Sequence, residues 1–383
     1  MDTQKSNRII YFYIYFVAQL IFIYVHSYLP IYFYNYLSVD KAELAFVQII
    51  SYSALFAKPL ISIYFDRDEM RLRRMRELMI LSATGIFVSF LLIFLSLEVL
   101  LLFGILLGIN FAFTSVIDVT VDKVLVETSR TEKEKSRNTL FLQIGSVLGA
   151  IIVPGFYLIV PSWEIFFLAG IILVAPLIFL VYFYSEPISK EKIGSQNREE
   201  KEESYSLRNI ALMCLFAFFL YADKLYEWPL EPFLTNLIGE DRFSILLIGL
   251  ILINAIGIVI AGLISHRFDK KKLLLVNTGL VGILLLLTPF VNIVFFLIFY
   301  IIIQIMAGFL IVNLISLMID VSHKKVIIFQ IIASAIALAK LVLVPLGTYL
   351  SDFLATEWII FIAGLVFLIA IVPLLAIKKN LNT

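Results

Sequence analysis

The chain has 383 residues, 61% of them hydrophobic and only 15% charged, with a formal net charge of +1 and a mean hydropathy of +1.00. A water-soluble domain carries roughly a quarter of its residues as charge, so most of this surface faces lipid, and the near-zero net charge excludes a field that would gather nucleic acid. The single cysteine, Cys214, excludes a disulfide framework or a cysteine-built metal site within the chain.

A helix needs about 20 apolar residues to cross a hydrocarbon core of about 30 Å. That ruler predicts twelve transmembrane segments: 9–36, 43–65, 77–97, 98–126, 137–160 and 163–184, then 207–238, 243–265, 273–290, 292–320, 326–350 and 356–377. The first is far longer than a signal-peptide core and has no small-residue cleavage site. It is rich in tyrosine and carries Gln19, His26 and Pro30 at spacings of seven and four. Two readings of it stand. His26 titrates near neutrality or hydrogen-bonds cargo, or it lies near the outer boundary among interfacial tyrosines.

The second segment holds Lys58 and runs into Asp66, Arg67 and Arg71. The fourth carries Asn110, Thr114, Asp118 and Asp122 at four-residue spacing, which predicts one drifting polar stripe. Lys58 and Asp118 fall at similar depth, and pairing them lowers the cost of burying both. The alternative is that Asp118 and Asp122 end a helix and bind basic loops. The fifth segment adds Gln143, with Gly145 and Gly149 four apart as a packing signal.

Residues 185–206 are too polar to bury and predict a solvated linker between an N-terminal bundle, 1–184, and a C-terminal bundle, 207–383. The seventh segment carries Asp223, Glu227 and Glu231, with Pro229 and Pro232 expected to loosen its outer end. Glu231 is expected at the outer surface, and Lys224 is assigned no role. The tenth segment holds Asn313; the eleventh holds Lys340, at a depth that makes Asp223 and Lys340 a second candidate pair.

Basic residues set the orientation. With the N-terminus inside, clusters such as Arg67 to Arg76, Arg130 to Arg137 and Arg267 to Lys272 are all cytoplasmic, while the external loops hold only Lys41 and Arg242. That split obeys the positive-inside rule and puts both termini in the cytoplasm of a multi-pass cell-membrane protein.

After the second segment comes Ser62-Ile-Tyr-Phe-Asp66-Arg67, and after the eighth comes Gly262-Leu-Ile-Ser-His266-Arg267, each followed by more basic residues. This repeated turn resembles the signature of the major facilitator superfamily, which implies an all-α fold of two six-helix bundles with a substrate site between them. Lys58-Pro59-Leu60, the run Asp118 to Glu127, Asn313-Leu-Ile-Ser316, Gln330 to Lys340 and Pro345-Leu-Gly347 resemble the branch of folate–biopterin transporters, muropeptide permeases and acetyl-CoA transporters. The resemblance implies a monomeric secondary active transporter for a polar or charged organic solute, with protons as the coupling partner and no cofactor. Its pathway residues are expected to be Lys58, Asp118, Asn110, Thr114, Asp223, Glu227, Lys340, Gln19, His26, Gln143 and Asn313. Asp66, Arg67, Arg71, Asp122 and Arg267 are expected to form a cytoplasmic gate. A transporter-shaped sensor or a membrane-embedded enzyme is the other reading. Against the enzyme, the sequence has no phosphate-binding glycine loop, paired-histidine zinc motif or glycine-framed serine.

Overall fold

Hydrocarbon offers a peptide group no hydrogen-bond partner, so an apolar run entering it winds into a helix that satisfies its own backbone. The computed structural model describes residues 3–66, 70–128, 132–160, 162–184, 206–264, 268–322 and 326–377, with the backbone alone at 3–8, 10, 11, 64–66, 70–76, 121–128, 132–143, 183, 184, 319 and 326. In chain order the first six spans are α1 (Phe12–Tyr36), α2 (Lys41–Ile63), α3 (Glu77–Leu95), α4 (Leu100–Thr120), α5 (Ile144–Ile159) and α6 (Trp163–Tyr182). The last six are α7 (Leu207–Leu220, resuming as Glu227–Ile238), α8 (Glu240–Ile264), α9 (Lys270–Phe290), α10 (Ile293–Met318), α11 (Ile327–Leu350) and α12 (Thr356–Ala376). Among the described residues ten of these are long and apolar enough to cross a membrane, and α5 and the first part of α7 are the two shorter apolar helices. The twelve segments expected from sequence are therefore all helical.

Three spans are irregular where the site lies, α1, α7 and α2, the last through a 3₁₀ turn over Ala54–Phe56. In α1, Pro30 has no amide hydrogen, and its ring displaces the carbonyl of His26. The helix widens into π turns on either side, Tyr24–Tyr28 and Tyr32–Tyr36, joined by Leu29–Ile31. In α7 the break comes at Tyr221, followed by a 3₁₀ turn over Ala222–Leu225. This corrects the expectation from sequence: the unwinding precedes the prolines. Pro229 sits in the first turn of the resumed helix, where an amide has no intrahelical acceptor.

Small residues set the helix distances. A Cβ at Gly145 or Gly149 on α5 would overlap the carbonyls of Phe12 and Phe16 on α1, and one at Gly347 on α11 would overlap the carbonyl of Leu225 in the α7 break. The first and last six spans meet along α1 with α7, α2 with α11, and α5 with α8. The two ends of the molecule differ. At one lie Lys270, Lys271 and Lys272 at the start of α9, here called the basic face; at the opposite face polar contacts tie the halves together. Glu240 accepts from the Tyr36 hydroxyl at 2.8 Å and from Tyr157, Tyr28 shares a hydrogen bond with Ser244 at 2.9 Å, and Lys41 Nζ donates to the Ser351 carbonyl at 2.7 Å beside Asp352 at 3.5 Å. Phe33 stacks on Trp228 across the same junction, with ring centroids 6.3 Å apart.

Candidate functional site

The α1 and α7 breaks face each other inside the membrane, and the charged residues cluster there. His26 Nδ1 lies 3.1 Å from Glu227 Oε2, and Tyr52 of α2 reaches the same imidazole at 3.2 Å and 3.4 Å. Tyr52 hydrogen-bonds the imidazole, while Nδ1 meets Glu227 Oε2 at ion-pair distance and Oε2 has no hydrogen-bond partner among the described residues. Lys224 Nζ lies 2.5 Å from the other Glu227 oxygen and 3.2 Å from Asp223 Oδ2. The result is one row of ionic and hydrogen-bond contacts, Asp223–Lys224–Glu227–His26–Tyr52, running from α7 through α1 to α2. Its centre is dry: the His26 and Glu227 side chains are 3% and 11% exposed, while Asp223 at the end is 42% exposed. Phe22, one turn before His26, lies under the imidazole at 4.1 Å between centroids. The Nζ atoms of Lys224 and Lys340 sit over that ring at 5.5 Å and 5.1 Å.

A second cluster sits nearer the basic face, within the first six spans. Lys58 of α2 donates to Asp118 Oδ2 of α4, and the Tyr15 hydroxyl of α1 donates to Oδ1 at 3.3 Å. Thr114, one turn before Asp118, joins both in lining an internal cavity of about 30 Å³, room enough for a water.

Several sequence expectations change. Asp223 and Lys340 do not pair; Lys224, which had no assigned role, takes both Asp223 and Glu227. His26 is not at a boundary but buried in the cluster. Glu231 is half-buried within reach of Ser27 rather than exposed. Asn110 turns away from the interface, its amide donating to the Ile86 carbonyl at 3.1 Å and Ser89 at 3.0 Å, so it ties α4 to α3. Asn313 is fully buried and donates at 2.8 Å to the Phe309 carbonyl one turn back. Gln19 is half-buried, two turns before His26 on α1. The side chains of Gln143, Asp66, Arg67, Arg71, Asp122 and Arg267 lie outside the described residues. Sequence reasoning missed Tyr52, Phe22 and Glu240; of these only Phe22 carried a signal, standing four residues before His26.

Twelve apolar helices with ionic groups held between their two sets define a polytopic membrane protein of the major facilitator fold, a secondary transporter rather than an enzyme. The chain belongs to the MFS/sugar transport protein family, whose model matches residues 10–327. Its fold is similar to the crystal structure of the nucleoside transporter NupG, with a TM-score of 0.66 at 14% identity, covering 99% of this chain and 100% of that one. Comparison with curated proteins gives no match.

Proposed function

We propose that this chain moves a polar organic solute by alternating access, with the solute path between spans α1–α6 and α7–α12 and protons as the coupling ion. Residues 1–184 and 207–383 are then the two rocking bundles, and 185–206 the linker between them. The observation that carries the reading is the row of ionic and hydrogen-bond contacts from Lys224 through Glu227 and His26 to Tyr52. Ionic groups at that depth cost several kcal/mol and mark ion or substrate pathways. A bundle needing only rigidity gains more from apolar packing at the same positions.

The positive-inside rule supports a cytoplasmic basic face, with both termini on that side of the cell membrane. The polar contacts holding the opposite face together then correspond to an inward-facing state. Lys58-Pro59-Leu60 and the paired aspartates of α4 favour the folate–biopterin branch for cargo. The likeness to NupG, a nucleoside transporter, brings nucleosides into the same test.

Net uptake into proteoliposomes tests the reading with labelled pterins, nucleosides and sugars, each with and without a proton gradient. Time-dependent uptake of one class, raised by an acidic exterior and lost with an uncoupler, is expected. Saturable binding with no uptake would make the protein a sensor instead.

A further inference from the structure

Lys340 stands near the middle of α11, half-buried, and among the described residues its partner is the Phe22 ring alone. The other interior lysines are different. Lys58 is bonded to Asp118, and Lys224 to Glu227 and Asp223. The charged groups facing Lys340 are Lys224, Lys58, Glu227 and Asp223. The two carboxylates among them are already engaged, Glu227 by Lys224 and His26, and Asp223 by Lys224. Phe22 is shared as well, with His26 and Lys224 against the same ring.

A cation–π contact recovers about 0.5–2 kcal/mol, less than the several kcal/mol that an ammonium costs at this depth. Lys340 has three N–H donors, and among the described residues none of them has an acceptor. It also touches, through Phe22, the helix that carries His26, so an acceptor arriving at Nζ acts at the junction of the two halves. We propose that Lys340 binds the anionic group of the solute, a carboxylate or a phosphate, and that this protein carries organic anions. The inference rests on the carrier reading above and names its solute class.

The test uses purified full-length wild type, Lys340→Gln and Lys340→Arg, with matched ligand pairs: glucose with glucuronate, glucose with glucose 6-phosphate, and uridine with uridine 5′-monophosphate. In wild type the anionic member of at least one pair binds about tenfold or more tightly than its neutral partner, by thermal shift and calorimetry. The uronate and phosphate arms distinguish the two anion types. Lys340→Gln brings that ratio within about threefold, while Lys340→Arg keeps it. Reading a ratio within each variant cancels any general change in fold stability. Neutral and anionic partners binding alike in wild type, no anion of the panel binding, or a preference surviving in Lys340→Gln would each overturn the proposal. Uptake of the preferred anion at the wild-type rate by Lys340→Gln would sink the anion assignment and leave the carrier standing. Anion binding without uptake would instead sink the carrier reading.

Discussion

His26 on α1 and Glu227 at the break of α7 meet across the two sets of six spans, Nδ1 to Oε2 at 3.1 Å, with the side chains 3% and 11% exposed. Each has a second partner, Tyr52 on the imidazole and Lys224 on the carboxylate. The contact exists because both helices are irregular at that level: the Pro30-linked π turns of α1 and the 3₁₀ turn of α7. Regular helices would aim these side chains elsewhere. A polar bond between the halves is one that a rocking motion must break and remake.

Glu227→Gln removes the negative charge that His26 and Lys224 share and leaves Asp223 as the one carboxylate paired with Lys224. Removing one partner of a buried pair costs about 3–5 kcal/mol, so thermal unfolding of the purified protein moves down. Proton-driven accumulation is lost while downhill exchange survives. Asp223→Asn is milder, because that carboxylate is 42% exposed and water replaces part of what it gives.

Lys58→Asp alone places two carboxylates together at Asp118, and Asp118→Lys alone places two ammonium groups together. Each single variant loses transport and stability. The double exchange restores part of both, with a coupling energy of about 0.5–3 kcal/mol between the sites. A double variant no better than its parts, in uptake and in unfolding, would show that the pair acts independently. Tyr15→Phe removes only the hydroxyl that donates to Asp118 and has the smallest effect of the series.

Glu240→Ala frees Tyr36 and Tyr157 together at the opposite face. Hydrogen bonds to a charged group contribute about 1.5–3 kcal/mol each, enough to shift the balance toward opening that face. In a Cys214→Ser background, Thr348→Cys reports the change, since Thr348 is fully buried in this state. Its maleimide labelling is slow with Glu240 present and faster by about tenfold or more after Glu240→Ala.

Gly347→Ala drives a methyl group into the Leu225 carbonyl, so α11 must move off the α7 break. Overpacking of this kind costs about 1–3 kcal/mol. Gly249→Ala on α8 is the control, because its Cβ would meet nothing within 4 Å. That substitution is neutral or stabilising by up to about 1 kcal/mol, the helix-propensity gain of alanine. Thermal unfolding of both variants separates the two cases.

The spans were legible because each is a predominantly apolar run, and the cost of bare backbone in lipid leaves one conformation. Lys58 and Asp118 could be matched because both lie on regular stretches, where residue count gives depth. Asp223 and Lys340 were matched by the same count, and there it failed. The 3₁₀ turn over Ala222–Leu225 changes rise and rotation per residue, which turns Lys224 toward both acids. Pro229 and Pro232 marked the right span but the wrong turn. His26 showed its spacing from Gln19, yet its partner Glu227 belongs to the other half of the chain, and no local pattern encodes that encounter. Asn110 shared the α4 stripe with Asp118 but faces α3, because a four-residue repeat drifts around a helix of 3.6 residues per turn.

Pulsed dipolar spectroscopy on two spin-labelled pairs tests alternating access most directly. One pair is Glu98 with Arg242 on the opposite face, the other Glu77 with Lys272 on the basic face, all four exposed. A carrier with its site between the halves gives two populations at each pair. Adding Glu240→Ala then lengthens the Glu98–Arg242 distance and shortens the Glu77–Lys272 distance together. One fixed population at both pairs, or two distances that change in the same direction, would contradict it.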